Sequence, residues 1–348
     1  MKLQERIEAF DRMSAELERI VSGNATTEAG EKLLGLTKSC QPYNGWFTEK
    51  MILHRLGVIA AQLKKNVLQQ WTTKYELKEN TPKTIAVILA GNIPLAGFDD
   101  LLAILISGNN FLGKLSSDDK KLFPLFCGLV CDIEPRFKEQ ISFSEAKLAG
   151  MDAVIATGSN NSGKYFDFYF SKYPHIIRRN RNGIAVLNGK ESDDELKKLG
   201  DDIFYYFGAG CRSVSKLYVP AGYNFDRFFQ NIISWWDVLN VSTKYMNNYE
   251  YHKTIYLLNN HKLLDNNFLI LKEDIGLASP PGVLYYEFYS SAEELSKKLR
   301  ADKELFQCIV SNETSVGERT GFGEAQQTLP WNYADNVDTM KFIQELSN

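Results

Sequence analysis

The sequence has few of the residues that would build a metal site or a disulfide framework. Only four histidines occur, at positions 54, 175, 252 and 261, and they show no zinc-binding spacing. The cysteines are odd in number and contain no CxxC pair: Cys40, Cys127, Cys131, Cys211 and Cys308. We therefore expect no bound metal and a reduced, cytoplasmic setting.

An excess of positive charge and a long hydrophobic segment are also missing. The formal net charge is -3 at pH 7, which argues against nucleic acid as a partner. The charged segment "MKLQERIEAFDRMSAELERI" resembles neither a signal peptide nor a membrane span, and no long apolar run follows, so we expect no transmembrane segment. Anionic ligands stay compatible with this composition, because local backbone or basic sites do not need a basic total charge.

The chain does contain an alternation of helix and strand patterns. Residues 1–80 show the three- and four-residue steps of amphipathic helices, as in Ile7, Phe10, Met13, Leu17 and Val21. Thr48 is a candidate N-cap of a second such helix. From Pro82 onward, short apolar strands such as "KTIAVILAG" alternate with helical patterns such as "FDDLLAILISG", which predicts an α/β fold. We expect Pro124 to disturb one helix and the tail from Glu318 to be irregular.

The segment "ATGSNNSGKYF" resembles part of a phosphate-binding loop. Gly158, Gly163 and Lys164 have the P-loop spacing and follow a strand pattern. Tyr165 stands where a P-loop needs Ser or Thr to hold magnesium, so the match to a P-loop nucleotide-binding protein is incomplete. At Gly158 and Ser159 the strand passes into a helix, whose free N–H groups suit a phosphate or pyrophosphate. An ordinary strand-to-helix turn explains the same residues.

Two polar residues follow the first predicted strands. Asn92, in "LAGNIPLAG", could contact an oxyanion through its amide or could cap the next helix. Lys114, in "GNNFLGKLSSDD", ends the second strand, at the sheet edge where nucleotides bind. A solvated surface lysine has the same pattern, so neither residue identifies a site by itself.

Cys211, in "FGAGCRSVSKLYVP", is the candidate nucleophile. Small neighbours allow a substrate to approach the sulfur, and Arg212 could favour the thiolate. The alternative is a structural cysteine buried in a turn, which is common for this residue type.

Taken in order, the segments "AGNIP", "GKLSS", "ATGS" and "GAGCRS" resemble the aldehyde dehydrogenase superfamily. The chain is most similar to its acyl-CoA reductase branch, typified by the fatty-acid reductase of bacterial luminescence, over roughly residues 80 to 345, including the tail "PWNYADNVDTMKFI". The resemblance implies that Cys211 is the catalytic thiol and that Asn92 completes the oxyanion hole. It also implies that Lys114 contacts the adenosine ribose, while Gly158 and Ser159 lie against the cofactor pyrophosphate.

The same resemblance implies an aldehyde-dehydrogenase-like fold with a Rossmann-type cofactor domain, an α/β catalytic domain and a helical N-terminal segment. We expect the boundaries to follow this order along the chain: N-terminal helices 1–80, nicotinamide-nucleotide-binding domain 81–182, catalytic domain 183–317, and a C-terminal segment 318–348 that packs back on the cofactor domain.

Two departures from the superfamily pattern bear on the reaction. Ser116 and Ser117 replace the family's Ser-Glu pair, and losing the carboxylate favours NADPH, with NADH possible. "HIIRRNRNG" replaces the Glu-Leu-Gly-Gly motif, with Ile177 near the position of the glutamate that activates water. Without that base, a thioester is kept for reduction. Arginines in this stretch could meet coenzyme A phosphates or form a solvated charged strand: Arg178, Arg179 and Arg181.

The expected function is NADPH-dependent reduction of a fatty acyl-CoA, or another acyl thioester, to the aldehyde through a thioester on Cys211. Three alternatives stay open: a cysteine acyltransferase without redox chemistry, a non-catalytic subunit of a reductase complex, and a P-loop-like protein. An acyl-transferring partner enzyme and a homo-oligomer are compatible with the sequence.

Overall fold

A computed structural model describes residues 1–77 and 81–346 and divides the chain into two compact units. The first unit contains residues 1–180 together with the C-terminal segment from residue 328, and the second contains residues 181–327. The expected boundaries at 182 and 317 lie near these positions, but the second is displaced by ten residues. The N-terminal helices belong to the first unit and do not form a domain of their own. Residues 78–80 and 347–348 of the expected segments lie outside the described residues.

Four helices precede the first strand: α1 Leu3–Val21, α2 Glu28–Ser39, α3 Glu49–Gln62 and α4 Lys65–Thr72. The helical expectation for this region is confirmed in the described residues. Thr48 is the N-cap of α3, because its side chain accepts the N–H of Met51 at 3.5 Å. The apolar stripe of α1 is buried in the same core as the first sheet, including Phe10 and Leu17. The N-terminal segment therefore covers the sheet with an apolar layer.

The first sheet has five parallel strands: β1 Thr84–Ile88, β2 Asn110–Lys114, β3 Ile141–Phe143, β4 Ala153–Thr157 and β5 His175–Arg178. Their spatial order is β3-β2-β1-β4-β5, with the order reversing beside β1. The helices between them are α5 Phe98–Ile106, α6 Leu122–Ile133 and α7 Asn160–Phe170. Pro124 is the third residue of α6, where its missing N–H would have no helical partner. The expected disturbance of this helix is therefore wrong.

The second unit contains a six-stranded sheet: β6 Asn182–Val186, β7 Val214–Pro220, β8 Leu263–Asp265, β9 Ile270–Glu273, β10 Val283–Tyr289 and β11 Phe306–Val310. The spatial order is β11-β6-β7-β10-β9-β8, and only the β8–β9 pair is antiparallel among these strands. The helices are α8 Asp193–Phe204, α9 Asp226–Ile232, α10 Trp236–Leu239, α11 Thr243–Leu258 and α12 Ala292–Ala301. This arrangement confirms the expected α/β class.

The C-terminal segment returns to the first unit and ends in a helix, α13 Thr339–Glu345, so the irregular tail expected from the sequence is wrong there. Asp338 caps α13 by accepting the N–H of Lys341 at 2.8 Å. The Tyr333 hydroxyl accepts from Trp71 Nε1 at 2.7 Å and lies 2.7 Å from the Tyr75 hydroxyl. These bonds fix the segment against the N-terminal helices.

The tail leaves the second unit ten residues later than expected because the chain around residue 320 still pairs there. Ser311 N–H donates to the Thr320 carbonyl oxygen at 3.0 Å, and Thr320 N–H donates to the Ile309 carbonyl oxygen at 2.8 Å. The next residues are held by hydrogen bonds to α8, as described below.

Candidate active site

The carboxyl edge of the first sheet gathers most of the predicted cofactor residues. Ile88 of β1 pairs in register with Lys114 of β2 on one side and Ala156 of β4 on the other. The chain therefore leaves all three strands at one edge, and the strand order reverses there. Ligands of open α/β sheets bind in the crevice at such a switch point.

The loop after β1 approaches the loop after β2 closely. A Cβ added at Gly91 would lie 2.7 Å from Ser116 Oγ and 2.8 Å from Asp118 Cβ, so a larger residue here would displace the loop after β2 or its side chains. Asn44, which is buried, donates to the carbonyl oxygens of Gly91 and Asp118, both at 3.1 Å. Asn44 thus joins the two loops, although no sequence pattern marks it.

Asn92 is exposed in the loop after β1. It is not the cap of the next helix, because α5 begins at Phe98 with Gly97 as its N-cap. The capping alternative is therefore wrong, and Asn92 remains a candidate donor to an oxyanion.

Lys114 is held at the edge of the sheet by backbone acceptors. Its Nζ donates to the carbonyl oxygens of Glu145 and Ala146, the second at 3.0 Å. Ser116 Oγ accepts the N–H of Asp118 at 3.2 Å, while Ser117 is exposed. This geometry keeps one lysine ammonium and two hydroxyls beside the switch point.

A carboxylate follows these serines but is turned inward. Asp119 is buried and accepts the N–H groups of Leu122 and Phe123 at 3.0 and 3.3 Å, at the start of α6. Burial raises the pKa of Asp119 to about 6, against the lowering effect of these hydrogen bonds. The Asp119 carboxylate is therefore bonded to the first turn of α6 and does not lie at the exposed edge with Ser117.

Ser159 is the N-cap of α7, since its hydroxyl accepts the N–H of Ser162 at 3.2 Å. A Cβ at Gly158 would lie 2.9 Å from the Phe166 ring, so the turn into the helix is tight. Because α7 begins at Asn160, the segment before Lys164 is helical and does not form a loop that surrounds a triphosphate. The P-loop alternative therefore lacks its structure, while the N-terminus of α7 keeps its preference for an anion.

The three arginines that could meet coenzyme A have different surroundings and different acidic partners. Arg178 is buried, and its Nη atoms donate to the two carboxylate oxygens of Asp100 at 2.6 and 2.7 Å. Arg179 is more than half exposed and pairs with Asp167 at 2.6 Å. Arg181 belongs to the second unit, where it pairs with Glu304 at 3.0 Å.

Arg178 is therefore a structural ion pair, and a phosphate-binding role for it does not fit this geometry. The bidentate contact with Asp100 and a further bond to Thr339 Oγ1 at 2.9 Å occupy its Nη atoms.

Cys211, in the second unit, is the exposed member of the five cysteines, and none of the five is in a disulfide. Burial raises the pKa of each of the other thiols, to about 11 for Cys40 and about 12 for Cys308, with upward shifts also for Cys127 and Cys131. Those four are therefore neutral thiols at physiological pH, and Cys211 is the most exposed of the five.

The backbone before Cys211 is unusual. Tyr206, Phe207 and Gly208 have φ values of 56, 56 and 75°, the left-handed region that bulky residues rarely adopt. Both aromatic side chains are buried, and the Phe207 ring lies 5.9 Å from that of Tyr245. The surrounding core therefore enforces a conformation of the kind that concentrates at functional sites.

Residues 210–213, which we call the cysteine turn, hold the thiol on a tight bend. Ser213 N–H donates to the Gly210 carbonyl oxygen at 3.0 Å, which places Cys211 at the second position of the turn. The turn packs on Gly183 of β6, where an added Cβ would lie 2.6 Å from the carbonyl oxygens of Arg212 and Ser213. No sequence motif singles out Gly183, although the turn packs directly on it.

Arg212 is directed to the protein backbone. Its Nε donates to the carbonyl oxygen of Ala325 at 2.5 Å, and its own carbonyl oxygen accepts from Cys308 Sγ at 3.4 Å. The side chain that was expected to favour the thiolate therefore also anchors the turn.

In the described part of the chain, no helix is both long and apolar enough to cross a membrane. Within those same residues, no group of three His, Cys, Asp or Glu side chains could hold a metal ion.

Solved structures similar to this chain include several aldehyde dehydrogenases. Aldehyde dehydrogenase 21 from Physcomitrella patens, in complex with the reaction product succinate, has a TM-score of 0.66 and 14% identity, covering 97% of this chain and 84% of that one. A mutant of the AldA indole-3-acetaldehyde dehydrogenase of P. syringae, in complex with NAD+ and IAA, has a TM-score of 0.62 and 13% identity over 90% of this chain and 73% of that one. The aldehyde dehydrogenase KauB from Pseudomonas aeruginosa has a TM-score of 0.62 and 14% identity, covering 90% of this chain and 73% of that one. These likenesses show the aldehyde dehydrogenase fold.

Comparison with curated protein sequences gave no match. Residues 47–235, more than half of the chain, match the family described as "Acyl-CoA reductase (LuxC)". The matched range includes the loop after β1, the N-terminus of α7 and the cysteine turn. The chain is therefore an oxidoreductase that belongs to the LuxC acyl-CoA reductase family and has the fold of the aldehyde dehydrogenases.

Proposed function

We propose that this protein reduces a fatty acyl-CoA to the aldehyde with NADPH, through a covalent thioester on Cys211. The observation that carries the proposal is an exposed cysteine on a hydrogen-bonded turn, in a chain of the acyl-CoA reductase family. NADH is the second candidate reductant.

The edge of the first sheet fits a nicotinamide nucleotide. Lys114 offers an ammonium at the end of β2, and the Gly158–Ser159 turn presents the N-terminus of an eleven-residue helix. Gly91, where the loops after β1 and β2 approach each other, places backbone without a side chain at the switch point. When bound, the nucleotide supplies the hydride for the reduction.

Cys211 performs the covalent steps. Its thiolate attacks the acyl-CoA carbonyl carbon, the carbon–sulfur bond to coenzyme A breaks, and the acyl group stays on Cys211 as a thioester. The Asn92 amide and a backbone N–H stabilise the oxyanion. Hydride addition to the thioester carbon would give the alkoxide of a thiohemiacetal on Cys211. This alkoxide re-forms the carbonyl as the carbon–sulfur bond breaks, which releases the aldehyde and returns Cys211 to the thiolate without net proton transfer.

Protection of the thioester from water follows from the side chains of β5. The strand carries His175, Ile176, Ile177 and Arg178 and therefore no carboxylate. Ile177 is half-buried and packs against a small apolar cluster of the first unit. Since no carboxylate of this strand takes the place of the family's water-activating glutamate, we propose that the acyl group is retained for reduction.

Selection of NADPH is proposed from the hydroxyls of Ser116 and Ser117. A carboxylate at the position of Ser117 would repel the 2′-phosphate of NADPH, whereas the Ser117 hydroxyl tolerates it. Asp119, the buried carboxylate nearby, is occupied at the start of α6. For coenzyme A, we propose Arg179, whose exposed guanidinium is available to exchange Asp167 for a phosphate.

The test is an NADPH-oxidation assay with acyl-CoAs from short to long chains, combined with intact-mass detection of an acyl adduct. We expect aldehyde formation and an adduct that Cys211→Ser abolishes, while Cys131→Ser, a half-buried cysteine of α6, leaves both unchanged. Acyl transfer without NADPH oxidation would favour the acyltransferase alternative. A protein that binds no nicotinamide nucleotide would favour the non-catalytic subunit. Magnesium-dependent ATP hydrolysis lost in Lys164→Ala would favour the P-loop alternative.

A further inference from the structure

Residues 321–327, which we call the anchor loop, hold both residues that follow Cys211. The carbonyl oxygen of Ala325 accepts from Arg212 Nε at 2.5 Å. Gln326 Nε2 donates to Ser213 Oγ at 3.3 Å. The cysteine turn is therefore fixed from one side by a segment more than a hundred residues later in the chain.

The anchor loop is in turn held by Asp202, on the last turn of α8. One oxygen of this carboxylate accepts the N–H of Gly323 at 2.7 Å, and the other accepts the N–H of Ala325 at 2.9 Å. Asp202 and Ala325 are both 0% exposed. Both N–H groups depend on this one buried acceptor, and losing it would leave the buried N–H of Ala325 and the partly buried N–H of Gly323 without this partner.

Ala325 links the contacts of Asp202 to the contacts of the cysteine turn, because its backbone takes part in both. Its N–H is bonded to Asp202 and its carbonyl oxygen to Arg212. Asp202 also lies just before the left-handed segment that leads along the chain to Cys211. The carboxylate thus fixes the cysteine turn from both sides, through α8 before it and through the anchor loop after it.

We propose that Asp202 is a positioning residue for Cys211, acting through the anchor loop. The inference rests on the proposed function, in which Cys211 attacks a thioester. Such an attack requires the sulfur to approach the carbonyl carbon along a defined direction, and a displacement of about 1 Å can lower the rate about 100-fold. Alkylation by a small reagent such as iodoacetamide is far less dependent on direction.

The experiment compares Asp202→Ala and Asp202→Asn with the matched control Asp201→Asn. Asp201 is the neighbouring carboxylate, and it accepts from Trp235 Nε1 at 3.0 Å. Single-turnover acylation by octanoyl-CoA and alkylation by iodoacetamide are measured at Cys211 by mass spectrometry. We expect acylation to fall about 10- to 100-fold in Asp202→Ala, with alkylation changed less than about threefold. The acylation rate of Asp202→Asn, which keeps one acceptor oxygen, should lie between those of Asp202→Ala and the wild type. The acylation rate of Asp201→Asn should match that of the wild type.

A double-mutant cycle tests the route through the anchor loop. Arg212→Lys keeps the charge and removes the Nε donor to Ala325, so it should slow acylation in the wild type and add little in Asp202→Ala. Independent, additive effects would overturn the inference. Equal acylation by Asp202→Ala and the wild type would also overturn it, and if Asp202→Ala does not fold, the same criterion applies to Asp202→Asn.

Hydrogen exchange separates this inference from the proposed function, because it needs no acyl donor. The peptide covering residues 207–215 should exchange faster in Asp202→Ala than in the wild type. Its exchange rate should be unchanged in Asp201→Asn. If the wild type is not acylated but the exchange responds, the proposed function fails and the placement of the turn by Asp202 stands. If the wild type is acylated but neither exchange nor acylation responds to Asp202→Ala, the positioning role is refuted.

Discussion

Replacing Gly183 by alanine tests whether the packing of the cysteine turn on β6 sets the position of the thiol. The added Cβ would lie 2.6 Å from the carbonyl oxygens of Arg212 and Ser213, and ordinary contact begins near 3.4 Å. Both obstacles are backbone atoms of the cysteine turn, which no rotamer change can move aside. The turn must therefore retreat by about 0.8 Å, and overpacking of this kind destabilises by about 1–3 kcal/mol.

The displacement should affect the reaction as well as the fold. A retreat of nearly 1 Å at a nucleophile is expected to lower the rate of acylation of Cys211 about 10- to 100-fold. The measurement is single-turnover acylation by octanoyl-CoA, followed by intact mass, alongside the free energy of unfolding from urea titration.

Leu299→Ala is the control for stability alone. Leu299 is a buried residue of α12 whose cluster contains Ile184 and Leu295, and its truncation should destabilise by about 2–5 kcal/mol. Its acylation rate should stay at the wild-type value under conditions where the protein is folded. If Gly183→Ala loses stability but acylates at the wild-type rate, the proposed link between this packing and the thiol is refuted.

Three further predictions follow from charged and polar groups. Arg178→Met should lower the free energy of unfolding by about 3–5 kcal/mol in urea titration, because it leaves the Asp100 carboxylate buried without its partner. The control, Arg179→Met, removes an exposed ion pair and should cost about 1 kcal/mol or less. Equal losses in the two variants would contradict the structural role of Arg178. Burial raises the pKa of Asp202 to about 7 in the folded protein, above its ordinary value near 4 in the unfolded chain. The folded protein therefore holds this proton more tightly than the unfolded chain. The resulting contribution to the free energy of unfolding should be full below about pH 4 and lost as the pH rises through 7. In Asp202→Asn this part of the pH dependence of the unfolding free energy should vanish, and an unchanged profile would assign it to another group. Ser117→Glu should raise the KM for NADPH about tenfold or more with little change for NADH, measured by initial rates, and parallel changes for both would contradict the proposed selectivity.

The sequence predicted the parts of the fold that rest on local pattern. The alternation after Pro82 gave the order of strands and helices, because buried parallel strands are continuous apolar runs and helices keep their own period. The edge that gathers Lys114, Gly158 and Ser159 followed from the same pattern, since parallel strands all end at one side of a sheet. Asn92 was harder to assign, because a polar residue after a strand fits a cap equally well until the start of α5 is known.

Short elements and long-range contacts were not predictable in this way. The three-residue strands β3 and β8 are too short to show a period, and β8 is an exposed edge strand. Arg178 looked like part of a charged surface because its partner, Asp100, lies 78 residues earlier. Gly183 and Asp202 act through backbone atoms of distant segments, which leave no trace in the pattern of their neighbours.

The division of the first unit between the two ends of the chain has a consequence for biosynthesis. During translation the second unit, residues 181–327, emerges whole before the segment that completes the first unit has been made. Until Tyr333 and Thr339 leave the ribosome, Trp71, Tyr75 and the buried pair of Arg178 lack their final cover. Cys211, the proposed nucleophile, therefore belongs to the unit that can mature first, while the unit with the proposed nucleotide-binding edge stays incomplete until residues 328–346 have been made.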